Sequence, residues 1–396
     1  MPILDVAEID LHAFSQDLRS PRVRRCDDPI LVDFCQALSS KLLRDPECRQ
    51  YPDVMTFGYF CRKSSISKVF DALPNRALRL GWGSIVHIAP SNIPVNFAFS
   101  FLMGFLSGNA NYVRVPSRTF RQVDLIVTAI DAVLADDDFA SLREDNRFFT
   151  CERDHPTLVD MVRTAAGLVV WGGDATVSGF RAMDKRVSAV ELYFPDRVSS
   201  AVLSAAAVIT LDDEALTTLC DRFFNDTFLT DQNACSSPGI LFWTGDKTVL
   251  AAAKDRFWTR FGARLADKYR IEPTRMMDKH LDVMTMVEAV ERPVEIASQD
   301  DVTWRFTDRD LGSLKLRFGN FLEVDIAALD EIAPHLRPNE QTITQFGVTS
   351  QDIFDALARH GRMVDRIVPV GEALSMSMQW DGKQVVSLLS RQVELA

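Results

Sequence analysis

No stretch of this chain stays apolar and free of charge for the ~20 residues that a bilayer-spanning helix needs. The most apolar run, Phe97 to Leu106, is about half that length and reads as a buried helix. The N-terminus, MPILDVAEIDLHAF, has neither the basic start nor the apolar centre of a signal peptide. No cysteines pair at C-x-x-C spacing. The seven (Cys26, Cys35, Cys48, Cys61, Cys151, Cys220 and Cys235) are scattered and odd in number, which argues against a disulfide framework and a structural zinc site. The six histidines are equally dispersed. Positive charge is short as well: the formal net charge of -11 argues against a nucleic-acid partner, which favours a basic face. There is no G-x-G-x-x-G, no Walker A motif, no internal repeat and no low-complexity segment. What remains is a cytoplasmic globular protein without a metal, most of whose cysteines act as small buried hydrophobes.

What is present fits two sizeable domains. The chain has 396 residues, 47% of them apolar, against a prior of ~150 residues per domain. Residues 1–80 read as helices with polar turns, and the arginines near Arg22, Arg24 and Arg25 as a solvated face. From residue 81 the texture changes. Ser84-Ile-Val-His-Ile-Ala89 is a β-branched run typical of a buried strand. The loop Pro90-Ser-Asn-Ile-Pro-Val-Asn96 follows, then an apolar helix over 97–107 stopped by Gly108, then the strand Asn111-Tyr-Val-Arg-Val115. Strand, helix and strand within about 30 residues make a βαβ unit and a parallel sheet. Helical spacing over 119–134 and the strand Gly167-Leu-Val-Val-Trp171, turned by Gly172-Gly-Asp174 into another helix, repeat the pattern. This predicts a doubly wound α/β domain with ligands beyond the carboxyl ends of its strands, where the loops 90–96 and 172–174 lie. A second α/β segment begins near residue 200: a helix near 212–224, the loop Thr230-Asp-Gln-Asn-Ala-Cys-Ser-Ser-Pro238, the strand Gly239-Ile-Leu-Phe-Trp243, and a helix over 247–266. The tail looks strand-like in Arg366-Ile-Val-Pro-Val370 and Val385-Val-Ser-Leu-Leu389.

Three places can carry chemistry. Cys235 sits in a loop of small polar residues, which suits an accessible nucleophile, though a bland loop cysteine looks the same. Asn92 lies between Pro90 and Pro94 straight after a buried strand. It reads equally as an oxyanion donor and as an Asx-turn residue. Gly172 and Gly173 let a phosphate approach a helix N-terminus, but a Gly-Gly turn alone is weakly specific.

Together these elements resemble the aldehyde dehydrogenase superfamily, in Pro90 and Asn92, Gly108-Asn109, Pro116-Ser117, Gly172-Gly173 and Cys235. The closer resemblance is to the bacterial long-chain acyl-CoA reductase (LuxC-type) family, the fatty-acid reductase component of luminescence systems. It is carried by His87-Ile-Ala-Pro-Ser-Asn-Ile-Pro-Val-Asn96, Leu106-Ser-Gly-Asn-Ala-Asn111, Val113-Arg-Val-Pro-Ser117, Asp231-Gln-Asn-Ala-Cys-Ser-Ser-Pro238, Arg366-Ile-Val-Pro-Val-Gly371 and Trp380-Asp-Gly382. Residues 1–80 add little to it.

The resemblance implies an α/β, aldehyde-dehydrogenase-like fold. A helical region (1–80) packs on a doubly wound cofactor domain (81–200), followed by a catalytic domain (201–365) and a C-terminal β segment (366–396) used in oligomerisation. It implies that Cys235 accepts an acyl group from a thioester while Asn92 and the Cys235 backbone N–H form the oxyanion hole. Gly172 and Gly173 then flank the cofactor pyrophosphate. Arg114, Ser117 and Arg118 belong to the cofactor site, with Arg118, where NAD-preferring relatives often carry glutamate, favouring NADPH. The acyl donor is acyl-CoA, an acylated carrier or an acyl-protein synthetase. Two rivals stand beside this reading: an oxidising aldehyde dehydrogenase with Glu191 as base, and a non-catalytic acyl-binding subunit.

Overall fold

A computed structural model describes residues 3–11, 14, 23–90, 93–290, 293–298, 300–307 and 315–395. The chain forms two compact units, Met1–Pro195 with Met376–Ala396, and Asp196–Ser375.

The first unit contains strands β1 (Leu4–Asp5), β2 (Arg79–Gly81), β3 (Ser84–Ile88), β4 (Ala110–Arg114), β5 (Asn146–Thr150), β6 (Gly167–Trp171) and β7 (Val190–Phe194). Six of them form a fully parallel sheet in the order β1-β5-β4-β3-β6-β7. Every residue of β3 and β6 is buried, as strands covered by helices on both faces require. The chain winds outward from β3 through β4 to β5, then crosses back to β6 and β7. The winding therefore reverses between neighbouring β3 and β6, the switch point where open α/β sheets bind ligands.

The helix after β3, Asn96–Leu106, is apolar all round, and every residue from Phe97 to Leu106 is buried. One face meets the sheet, so the other needs a second cover. The first 80 residues supply it through the helices Pro29–Arg44, Pro52–Phe60 and Lys63–Asp71. Phe34 meets Phe105 at 4.7 Å between ring centroids, and Phe57 meets Phe99 edge-on at 5.1 Å. Such pairs add about 0.5–1.5 kcal/mol beyond the burial of the rings. Gly108 ends this helix at φ +80, and a Cβ there would lie 2.1 Å from the Arg24 carbonyl. Arg24 itself donates to the Ser141 carbonyl and lies 3.6 Å from Asp145, so it ties the N-terminal region down as well as facing solvent.

A polar network runs through this core. Asn111 Nδ2 donates to the Asn109 carbonyl and to Asn146 Oδ1, both at 2.9 Å, which leaves Asn111 Oδ1 as the acceptor toward His87 Nε2 at 3.1 Å. His87 therefore carries its proton on Nε2, and Nδ1 accepts from the Ser100 hydroxyl at 2.8 Å. Trp171 Nε1 donates to the same hydroxyl at 2.9 Å. The network joins β3, β4, β5, β6 and the apolar helix.

The second unit has β8 (Val198–Ser204), β9 (Pro238–Thr244), β10 (Ala297–Ser298), β11 (Trp304–Phe306), β12 (Asn320–Ile326), β13 (Glu340–Phe346) and β14 (Arg366–Pro369), in the order β10-β11-β12-β9-β8-β13-β14. All neighbours are parallel except β10 with β11. Phe223, Phe257, Trp258 and Phe261 cluster with Leu241, Trp243 and Phe321 of the sheet. Val283, Met286, Ile353 and Leu357 cluster with Ile240, Phe242 and Ile343, which alternate with the first set along their strands. Glu323 is buried, and its Oε1 accepts from the indole N–H groups of Trp243 at 2.7 Å and Trp258 at 2.8 Å.

The 366–396 segment divides. The strand Arg366–Pro369 joins the second unit, while residues 376–396 belong to the first. There a hairpin, β15 (Gln379–Trp380) with β16 (Lys383–Gln384), is turned by Asp381 and Gly382 at φ 46 and 68. The run Val385-Val-Ser-Leu-Leu389, expected as strand, is instead one helical turn, Val385–Leu388. Val385, Val386 and Leu389 all reach the core and the Leu389 N–H bonds the Val385 carbonyl, so helical spacing wins over β-branched composition. A short strand, β17 (Ser390–Gln392), then pairs with β2.

Burial lowers the His87 pKa from its usual 6.5 to about 4, partly offset by Asn111. The unfolded chain therefore binds this proton first as pH falls, and the His87 contribution to stability drops between pH 6.5 and 4 by roughly 3 kcal/mol, while Asp226, raised by burial to about 7, contributes in the opposite direction. In denaturant unfolding, the stability difference between wild type and His87→Gln should change by this amount across the window, whatever absolute stability the variant retains. A difference that stays constant assigns the proton uptake to another group.

Candidate active site

The loop bearing Cys235 connects the helix Asp213–Thr227 to β9. After a short turn over Phe228–Thr230, Asp231 and Gln232 are both left-handed, at φ 51 and 56. That conformation costs non-glycine residues about 1–3 kcal/mol each, so the surroundings must impose it. Cys235 is half-buried, and Ser236 and Ser237 behind it are buried. The Ser199 hydroxyl of β8 donates to the Cys235 carbonyl at 2.7 Å and accepts the Thr342 N–H of β13 at 3.1 Å. The nucleophile candidate is thus anchored through its backbone at the amino ends of the strands. On β13, Glu340 is buried and takes a hydrogen bond from the Ser200 hydroxyl of β8. Burial raises the Glu340 carboxyl above its usual range, with Ser200 pulling the other way.

The other cysteines differ. Cys26, Cys35, Cys48, Cys61 and Cys220 are buried, and burial raises every one of these thiols, Cys48 to about 11 and Cys220 to about 12. Cys151 is half-buried, and burial raises it too, against the pull of Arg114. None of the seven is in a disulfide.

In the first unit the remaining candidates follow β4 and β6, on either side of β3. Gly172 and Gly173 are half-buried; the Gly172 N–H donates to the Phe194 carbonyl at 3.2 Å, and Gly173 begins the helix Asp174–Ala182. Trp171, just before them, stacks on Phe194 with centroids 3.8 Å apart. Ser117 and Arg118 are exposed after β4. The Arg118 guanidinium lies 5.3 Å from the Phe120 ring and pairs with no carboxylate among the described residues. Arg114 is buried and donates from Nε to the Cys151 carbonyl at 2.9 Å. Asn92 lies outside the described residues. Glu191 is exposed on β7, takes a hydrogen bond from the Tyr193 hydroxyl and has Lys185 Nζ 3.6 Å away. Among the described residues no three His, Cys, Asp or Glu side chains gather to hold a metal ion, and no helix is long and apolar enough to cross a membrane.

Sequence reasoning passed over Ser199, Gln232, Glu340 and the His87–Ser100–Trp171 network. Gln232 stood within a quoted motif block, so a signal existed. Ser199 and Ser200 carried only a pair of hydroxyls near the start of a mostly apolar strand.

Solved structures share this architecture. Lactaldehyde dehydrogenase from Escherichia coli is 11% identical, with 96% of this chain and 89% of that one covered at a TM-score of 0.62. A salicylaldehyde dehydrogenase from Pseudomonas putida G7, solved with salicylaldehyde, is 11% identical, covering 98% and 90% at 0.65. A 3,6-anhydro-L-galactose dehydrogenase in complex with NAP is 12% identical, covering 98% and 87% at 0.58. At these identities the likeness defines a fold, that of the aldehyde dehydrogenases. The family follows from the sequence itself: the acyl-CoA reductase (LuxC) model matches residues 76–392, and the chain belongs to that family. It is accordingly an oxidoreductase acting at the acyl and aldehyde level. A search of curated proteins gives no match.

The burial pattern orders thiol reactivity. Iodoacetamide should modify the two half-buried thiols, Cys235 and Cys151, well before the other five, which should react only on unfolding. Peptide mapping over a time course checks this; early labelling of a buried cysteine contradicts it.

Proposed function

We propose that the protein reduces a fatty acyl thioester to the aldehyde through an acyl-enzyme on Cys235, with NADPH as the reductant. The observation that carries this reading is a half-buried cysteine on a loop pinned at its backbone, in a chain of the acyl-CoA reductase family. In the first half-reaction Cys235 Sγ bonds the thioester carbonyl carbon, the carbon–sulfur bond to the donor breaks, and the thiol proton leaves with the donor thiolate. Asn92 and the Cys235 N–H are the proposed oxyanion donors, each worth about 2.7–4 kcal/mol in comparable sites. A nicotinamide cofactor, when bound, supplies the hydride for the second half. The glycine pair at 172–173 leaves room for its phosphates, and Arg118, exposed with no acidic partner among the described residues, suits a 2′-phosphate. Arg114 already serves the Cys151 carbonyl, so the cofactor reading rests on Arg118.

An oxidising dehydrogenase would need Glu191 as a base for water. Burial first, and Glu191 second, raise the Tyr193 phenol above its usual value, so it stays protonated and keeps donating to that carboxylate. The acyl donor is acyl-CoA or an acylated carrier or synthetase protein.

Intact-mass measurement after adding a long-chain acyl-CoA without cofactor should show one acyl adduct on the wild type and none on Cys235→Ala. An adduct persisting in the variant sinks the assignment. For the cofactor, kcat/KM should favour NADPH over NADH, and Arg118→Glu should reverse the preference. A ratio that hardly moves removes Arg118 from cofactor recognition.

A further inference from the structure

The left-handed pair that opens the Cys235 loop is held by side chains at both residues. The Asp231 carboxylate accepts from the Tyr269 hydroxyl at 2.5 Å and lies 3.8 Å from Arg275. Its backbone carbonyl accepts the Phe318 N–H at 3.2 Å, so this turn faces a second one in which Phe318 and Gly319 are left-handed too, at φ 56 and 85. Gln232 is 4% exposed, and its amide bonds only to main chain. Nε2 donates to the Pro238 carbonyl at 3.0 Å and the Asn320 carbonyl at 3.2 Å, while Oε1 accepts the Gly319 N–H at 2.9 Å. No other orientation works, because a flipped amide would set its NH2 against the Gly319 N–H and its oxygen against two carbonyls. The bond to Pro238 closes a ring over 232–238 with Cys235 at its midpoint, three residues from either end. The bonds to Gly319 and Asn320 fasten that ring to the start of β12.

We infer that Gln232 is a positioning residue for the nucleophile, its amide fixing the Cys235 loop in the shape that acyl transfer requires; this rests on the Cys235 reading above. It acts through backbone placement and touches neither the acyl group nor the cofactor. Strain held beside a reacting atom is what pre-organisation looks like in a backbone: the loop has neighbouring conformations of lower local energy, and the amide excludes them. Removing it should slow acylation, since a misplacement of about 1 Å can cost on the order of 10²-fold in rate. Binding of the cofactor should not change.

The test compares wild type, Gln232→Met and Gln232→Glu. Three measurements are made on each: the rate at which palmitoyl-CoA acylates Cys235 without cofactor, followed by intact mass; the Kd for NADPH; and the melting temperature. Gln232→Met keeps the length and loses every hydrogen bond. It should acylate about 10²-fold more slowly with an unchanged NADPH Kd. Gln232→Glu as a carboxylate sets charge against two carbonyls, whereas the protonated acid regains one donor. Its acylation rate relative to wild type should therefore climb as pH falls from 8 to 5, a dependence that general loosening of the fold does not produce. If either variant, still binding NADPH, is acylated within about twofold of the wild-type rate at pH 8, the positioning role is wrong while the nucleophile stands. If the wild type itself takes no acyl group on Cys235, the nucleophile assignment falls and the positioning role with it.

Discussion

The helix Asn96–Leu106 has no polar face, and much of the first unit exists because that helix must be enclosed. A helix of this kind cannot border water, so the β3–β4 crossover needs a layer on its outer side as well as the sheet on its inner one. That layer is drawn from both ends of the chain. Phe34, Phe57 and Leu38 come from the N-terminal helices, and Val385, Val386 and Leu389 return from the C-terminus into the same cluster. Residues 376–396 therefore fold with the first unit even though the second unit lies between them in sequence. Within the enclosed core the Ser100 hydroxyl of the helix is bonded to His87 and Trp171, which offsets the cost of burying it.

The sequence was legible where physics is local. A parallel strand covered on both faces leaves an unbroken β-branched run, so Gly167–Trp171 could be read to the residue and Ser84–Ile88 to within one. Gly108 announced its stop because only a residue without a Cβ fits 2.1 Å from the Arg24 carbonyl. The reading faltered at Val385–Leu388, where one turn of helix is too short for periodicity to separate from a strand. The role of the first 80 residues was hidden for another reason. They carry no chemical motif, and their packing role appears only in contact with a helix some fifty residues away. At the candidate site, Cys235 stood out through its loop and its family block. The groups that hold it, Ser199, Thr342 and Asn320, lie far along the chain in both directions, and no spacing rule points to them.

The two units place their candidate residues at opposite ends of their strands. In the first, the loops after β3, β4 and β6 lie at the carboxyl ends, flanking the reversal in winding, where the open sheet leaves a crevice for a ligand. In the second, Cys235 precedes β9 and sits at the amino ends of β8, β9 and β13. A crevice at a switch point suits a ligand that must be bound and released. An amino-end loop suits an atom that must stay put, because each neighbouring strand begins there and offers its first backbone groups and side chains as anchors. Ser199 supplies one from β8, the Pro238 carbonyl one from β9, and the Asn320 carbonyl one from β12. All three bonds hold main-chain atoms in place. Side chains elsewhere in the loop can then differ without unseating Cys235.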